Sequence, residues 1–207
     1  MDEVRFECYD NDEQVKAWLK KEHLSEGHDI YRWWADKATA IASKYKKRPI
    51  VWQEVYKNFE TKVPKDTVIH LWMGKNLLRS AALNGYDILV SHGWYLDHLK
   101  TAWQDYYNNN MFEGIEHESE HYKKHVLGGE ACMWSEHIDL SVLDATVWPK
   151  AAAAAENLWS TSRNIDTAFD RLEYFRCLLI GRGVGGGPLK HVNSREAPDS
   201  PHSCFQE

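Results

Sequence analysis

The chain has 207 residues, 43 % hydrophobic and 27 % charged, with a formal net charge of −6. That length can bury one sizeable core, and the acidic balance disfavours nucleic acid and anionic membrane surfaces as partners. No apolar run reaches the ~20 residues of a membrane span, and the first residues are acidic rather than basic and then apolar, so no secretory leader is read there. The chain is expected either to be cytosolic or to have its true start further upstream.

In chain order, the first stretch is Asp2-Glu3-Val4, two adjacent carboxylates ahead of any core. For an arbitrary acidic pair the ordinary reading is a solvated surface. Residues 28–46 carry Ile30, Trp33, Trp34, Ala38, Ile41 and Ala42 at helical spacing. Residues 49–55 (PIVWQEV) and 67–72 (TVIHLW) predict two short apolar strands. Residues 76–85 predict a helix stopped by Gly85, and residues 86–93 (YDILVSHG) a third strand. Residues 125–134 (HVLGGEACMW) predict a fourth strand. Residues 148–160 predict a helix with Pro149 in its first turn, its alanine run a close packing face. Residues 165–183 predict a last long helix ended by Gly183, after which 184–207 read as an extended, loop-rich tail. Nearly continuous apolar strands alternating with helices indicate a parallel sheet covered by helices. Four such strands suit a small doubly wound sheet or half of an eight-stranded barrel.

Four cysteines are present, Cys8, Cys132, Cys177 and Cys204, and their spacing fits no zinc pattern. Cys177 and Cys204 could close a loop over the Gly-rich tail, or all four could be free thiols. Ten tryptophans is the abnormal figure. Each needs a core slot and a partner for its N–H, and an excess near polar loops suggests a stacking surface for sugar rings.

The strand endings concentrate the chemistry. They read Trp52-Gln53-Glu54, His70-Leu71-Trp72, His92-Gly93-Trp94-Tyr95-Leu96-Asp97 and Trp134-Ser135-Glu136. In a parallel barrel all these ends open on one mouth, where sites are built. A competing pattern is HESEH (117–121), formally H-E-x-x-H, with His125 four residues on. On one helix face His117, His121 and His125 could bind zinc with Glu118 as base. The surroundings lack an apolar stripe, so a solvated histidine cluster in a loop is the stronger expectation.

The segment GGEACMWSEHIDLSVLDATVWPKAAAAAENLWS (128–160) resembles the last strand and helix of the family 20 glycoside hydrolases, the β-N-acetylhexosaminidases. VWQEV (51–55), HLW (70–72) and GWYLDHL (93–99) are similar to that family's preceding strand ends, in order, and DEV (2–4) to the end of its His-x-Gly-Gly-Asp-Glu motif, with Met1 where a glycine is expected. The resemblance implies an α/β fold, the C-terminal half of a (β/α)8 TIM barrel with about four parallel strands over residues 1–183, the N-terminal half being absent. It implies hydrolysis of terminal non-reducing N-acetylglucosamine or N-acetylgalactosamine, with retention, by the substrate-assisted exception to the usual two-carboxylate scheme. Glu3 would be the general acid, its pKa raised by the neighbouring Asp2. Asp2 would hold the N–H of the 2-acetamido group, and Tyr95 would donate to its oxygen as that oxygen attacks the anomeric carbon. Because neighbours on a strand face opposite ways, Asp2 and Glu3 can share a pocket only where the backbone turns. Trp52, Trp72, Trp94 and Trp134 would wall the sugar, and Asp97 and Glu136 would accept from its hydroxyls. An Asp at 97 resembles members that prefer neutral sugars.

The resemblance also implies a Cys177–Cys204 bridge stapling the 184–207 tail, with Cys8 left without its upstream partner. No cofactor and no metal are implied, and the setting would be lysosomal or secreted. A half barrel leaves two unpaired edges, so the chain is expected to be poorly stable alone or to pair as a homodimer. The different class of function is a non-catalytic half-barrel remnant that binds sugar or a partner, with a zinc metallohydrolase at His117-Glu118-x-x-His121 more remote still.

Overall fold

The computed structural model describes residues 2–189, which form two compact units. Among the described residues, the first holds 2–90 and 112–127, and the second 91–111 and 128–189. Chain order gives α1 (Phe6–Asp10), α2 (Glu13–Lys21), α3 (Gly27–Lys44), β1 (Ile50–Trp52), α4 (Gln53–Phe59), a 3-10 turn (Glu60–Lys62), β2 (Val68–Leu71), α5 (Leu78–Leu83) and β3 (Ile88–Val90). There follow α6 (Trp103–Asn108), α7 (Glu120–Lys123), β4 (Val126–Gly129), α8 (Leu143–Val147), α9 (Lys150–Trp159) and α10 (Ile165–Gly181). The strands form one sheet in the order β1-β2-β3-β4, with β1–β2 and β2–β3 parallel. That is the expected strand–helix alternation.

In the first unit, local signals start the helices. Asp12 caps α2 by accepting from the Gln14 and Val15 amides at 2.9 Å, and Glu26 and Asp29 form a reciprocal capping box on α3. α3 buries Tyr31, Ala35 and Thr39, spaced four apart on one stripe. All four residues of β2 are buried, as a strand covered on both faces requires. Register pairs Val51 with Ile69 and Ile69 with Ile88. At the amino ends of the strands, Asp87 accepts from Arg48 at 2.7 Å and contacts His125 Nδ1 at 2.7 Å, while Arg48 Nε also donates to the Asp66 carbonyl. Burial opposes the Asp87 charge, but these hydrogen bonds outweigh it and hold the carboxyl below the usual aspartate range. The stabilisation is therefore present above that range and lost as pH falls through the folded value. Asp87→Asn should lower the urea midpoint at pH 7, with the difference from wild type closing in acid; a constant gap across the titration would refute it.

In the second unit the alanine run does what its size allows. Ala153 and Ala154 are buried in α9, which packs on α6. Asn157 Nδ2 bridges the Tyr106 and Asn109 carbonyls at 3.0 and 2.7 Å, and the Tyr107 hydroxyl bonds Glu156 at 2.7 Å. α10 is capped by Asn164. Residues 184–189 pack within this unit: the Gly187 amide donates to the Trp148 carbonyl at 2.8 Å, and a Cβ on Gly187 would sit 2.4 Å from the Ala145 carbonyl oxygen. The rest of the tail lies outside the described residues. So does Cys204 of the expected bridge, whose other end, Cys177, is disulfide-bonded. Cys8 and Cys132 are free.

Several expectations need correction. The strand expected over 49–55 ends at Trp52, because Gln53 begins α4 and Glu54 sits in its first turn, where a carboxylate faces the positive helix end. The strand over 86–93 ends at Val90; the chain turns at Gly93, whose φ is +87°. The strand over 125–134 ends at Gly129. The helices at 6–10, 13–21, 103–108 and 143–147 were not anticipated. The zinc reading fails on geometry. α7 is only one turn, His117 lies before it, and His125 is engaged by Asp87. Among the described residues no three His, Cys, Asp or Glu side chains gather as a metal site. Nor is any described helix long and apolar enough to cross a membrane.

Candidate active site

The expected site residues fall into two sets, one on each unit. The first unit carries Asp2, Glu3, Trp52 and Trp72; the second carries Trp94, Tyr95, Asp97, Trp134 and Glu136.

Asp2 and Glu3 are exposed. Glu3 has φ +45°, in the left-handed region that an unbranched L side chain enters at a cost of roughly 1–2 kcal/mol. The backbone bends there, and of the two carboxylates it is Asp2 that lines the neighbouring cleft. Asp2 lines a cleft of about 400 Å³ with Tyr9, Tyr31, Trp33 and Trp34. The Tyr31 hydroxyl is kept protonated well above its ordinary range, by burial first and then by the negative charges of Glu54 and Asp2.

β1 and β2 present the aromatic part of this set at their carboxyl ends. Trp52 stacks on His70 with centroids 4.3 Å apart and planes 22° apart, and meets Trp72 edge-on at 6.1 Å. Gln53 and Glu54 hold Trp72 in place. The buried Gln53 side chain accepts through Oε1 from the Trp72 and Met73 amides at 2.8 and 3.0 Å. The Glu54 carboxylate accepts the Trp72 indole N–H at 3.1 and 3.0 Å. Both lie in the Trp52-Gln53-Glu54 ending that the sequence marks, but neither is among the site residues that the resemblance implies. The available signal was a polar pair directly after an apolar strand. Gln53→Ala would leave two amides without that acceptor at a buried position, costing about 2 kcal/mol or more; urea unfolding within error of wild type would refute the role.

In the second unit, Tyr95 and Cys132 pair across a parallel bridge, with the Leu96 amide donating to the Cys132 carbonyl at 2.8 Å and the Cys132 amide to the Trp94 carbonyl at 3.0 Å. Tyr95 is buried, and its carbonyl accepts from the Tyr106 hydroxyl at 2.8 Å. Its own hydroxyl shares side-chain hydrogen bonds with Ser91 and Trp134. Burial pushes the phenol up to about 12, against the lowering effect of those bonds. Burial likewise pushes the Cys132 thiol up to about 11. Both groups are therefore neutral across the physiological range. The Asp97 carboxylate accepts from the Trp134 amide at 3.4 Å, which places Tyr95, Asp97 and Trp134 together. Trp134 leaves 43 % of its surface exposed, so its indole can meet a ligand. Glu136 is exposed in the turn that follows.

Trp94 is a correction. It is 0 % exposed, and its indole N–H is committed to the Tyr106 carbonyl at 2.9 Å. It is a core residue that carries Tyr95 on its flank, not a wall of a sugar pocket. Gly93 sets the turn before it: beyond the positive φ, a Cβ there would lie 2.5 Å from Asn109 Nδ2, which donates to the His92 carbonyl.

The model of the glycosyl hydrolase family 20 catalytic domain matches residues 1–162. The chain belongs to glycosyl hydrolase family 20. It is 38 % identical to beta-hexosaminidase 1 of Arabidopsis thaliana over all of this chain and 39 % of that protein. It is 35 % identical to the mouse beta-hexosaminidase subunit alpha, over 91 % of this chain and 37 % of the relative. The chain thus spans about two-fifths of the length of these relatives. Among solved structures, the chitobiase of Flavobacterium johnsoniae matches at TM-score 0.70 and 28 % identity, over 86 % of this chain and 28 % of that one. An exo-β-N-acetylglucosaminidase of Vibrio harveyi, solved with N-acetylglucosamine, matches at TM-score 0.78 and 22 % identity, over 91 % and 32 %. The fold is part of that family's TIM barrel, seen here as four parallel strands with their helices.

Proposed function

We propose that this family 20 chain carries the machinery for hydrolysing terminal non-reducing N-acetylglucosamine or N-acetylgalactosamine from oligosaccharides and glycoconjugates. The observation that carries the reading is the grouping of Tyr95, Asp97 and the exposed Trp134 on one unit, with the turned Asp2-Glu3 pair and the braced Trp52 and Trp72 on the other. In this reading Glu3 protonates the glycosidic oxygen as the bond to the leaving group breaks. Asp2 accepts a hydrogen bond from the acetamido N–H, and the acetamido oxygen attacks the anomeric carbon, closing an oxazolinium ring. Tyr95 donates to that oxygen and fixes its direction, which is positioning of the kind that supplies much of an intramolecular rate gain. Trp52, Trp72 and Trp134 offer flat faces to the apolar side of the sugar, and Asp97 and Glu136 accept from its hydroxyls. Water, giving a proton back to the Glu3 carboxylate, then opens the ring from the face the leaving group occupied, giving retention.

A lysosomal or secreted setting and self-association as a homodimer belong to the same reading. Ile41 and Ile50 of the first unit, each more than half exposed, support the second point. The alternative is a non-catalytic half barrel that binds sugar or a partner. A chromogenic N-acetyl-β-glucosaminide separates the two. Hydrolysis of it, with none of the matching glucoside that lacks the acetamido group, supports the enzyme. Quenching of tryptophan fluorescence by N-acetylglucosamine without turnover supports the remnant.

A further inference from the structure

We propose that Ser91 and Cys132 are positioning residues for Tyr95, holding its phenol so that the one hydroxyl proton rests on the Cys132 sulfur until an acetamido oxygen displaces it. The inference deepens the functional reading above and rests on its assignment of Tyr95.

The geometry begins with the backbone. The parallel bridge sets Tyr95 directly beside Cys132, and two backbone hydrogen bonds of 2.8 and 3.0 Å fix that register. Cross-strand neighbours of this kind stand close enough for their side chains to interact. Ser91 is four residues before Tyr95 and fully buried; its carbonyl accepts from the Trp94 amide at 2.9 Å, so the loop between them folds back on itself. The Ser91 hydroxyl bonds both the Tyr95 hydroxyl and the Cys132 thiol, and the Tyr95 hydroxyl also bonds the thiol. Trp134 completes the ring of partners.

The chemistry of the partners then assigns the proton. An indole N–H can only donate, so Trp134 fills a lone pair of the Tyr95 oxygen. The serine hydroxyl can donate into the same oxygen. The phenol has one proton, and the sulfur beside it, whose own S–H donates to the Glu130 carboxylate at 3.9 Å, receives that proton as a weak acceptor. A weak acceptor keeps the hydroxyl aimed without competing strongly with an incoming carbonyl oxygen. A serine at position 132 would compete better, and an alanine would leave the proton unaimed. The thiol is held neutral by its burial, which suits an acceptor that must let go.

The test uses the full chain labelled with 13C at tyrosine Cζ. The Tyr95 resonance is identified by its loss in Tyr95→Phe. It should move in Cys132→Ala and in Ser91→Ala; no movement in either, with native far-UV circular dichroism, overturns the inference. A kinetic cycle on the chromogenic N-acetylglucosaminide adds a readout that a merely structural role would not give. Cys132→Ser should lower kcat/KM about fivefold, the worth of one neutral hydrogen bond, yet cost nothing further in a Tyr95→Phe background. A further fivefold fall in the double variant means that the thiol acts independently of Tyr95, which also overturns the inference. A wild-type chain that hydrolyses nothing while the resonance still moves sinks the functional reading and leaves the placement of the phenol standing.

Discussion

If Glu3 is the general acid of the proposed reaction, Glu3→Gln is expected to lower hydrolysis of N-acetylglucosaminides by between about a hundredfold and ten-thousandfold, the span that a positioned general acid contributes. The amide keeps the size and the hydrogen-bonding reach of the side chain but has no proton to deliver. The loss should depend on the leaving group. A 4-nitrophenolate departs readily without protonation, so its glycoside should lie at the low end of the range. A sugar alkoxide needs the proton, so a disaccharide ending in N-acetylglucosamine should lie at the high end. Fluorescence titration with N-acetylglucosamine should be little changed, because the acid acts on the bond being broken and not on the bound sugar. Equal losses on the two substrates would show that Glu3 holds the fold or the sugar and does not deliver a proton. The exposure and the left-handed backbone of Glu3 make a purely structural role an unlooked-for outcome.

Trp94→Ala and Trp134→Ala should fail in opposite ways. Trp94 is fully buried, and its indole N–H is tied to the Tyr106 carbonyl. Truncating it opens a large cavity and removes that donor, for a loss of about 3–5 kcal/mol. For a chain of ordinary marginal stability this is a large share of the total, and thermal unfolding of Trp94→Ala should begin well below that of wild type. Trp134 leaves 43 % of its surface exposed, so its truncation should cost far less stability. It should instead weaken binding of N-acetylglucosamine, since base-like and sugar-like rings gain from a flat aromatic face. Circular dichroism melts and a sugar titration on both variants decide it. If Trp94→Ala melts like wild type, the assignment of that indole to the core is wrong. Should Trp134→Ala bind the sugar unchanged, its place in the site is lost.

The sequence by itself determined the alternation of apolar strands and helices, because period and run length depend on neighbours a few residues apart. It also located the four strands to within a few residues, and it identified the polar and aromatic groups that follow them. The family resemblance was legible in the same residues, since DEV, VWQEV, GWYLDHL and GGEACMW keep their identities whatever surrounds them. Only the tertiary structure separated Trp94 from Trp134. Both are strand-end tryptophans in the sequence, but burial depends on what packs from elsewhere in the chain, and α6 closes over the first alone through the Tyr106 carbonyl. Tertiary structure likewise decided that Gln53 and Glu54 begin a helix and brace Trp72, a contact 18 to 20 residues away that no local pattern encodes. The same holds for the register that sets Cys132 beside Tyr95, 37 positions apart by their numbering. Local pattern specifies which face of an element turns inward; the partner it meets there is chosen by the packing of the whole unit.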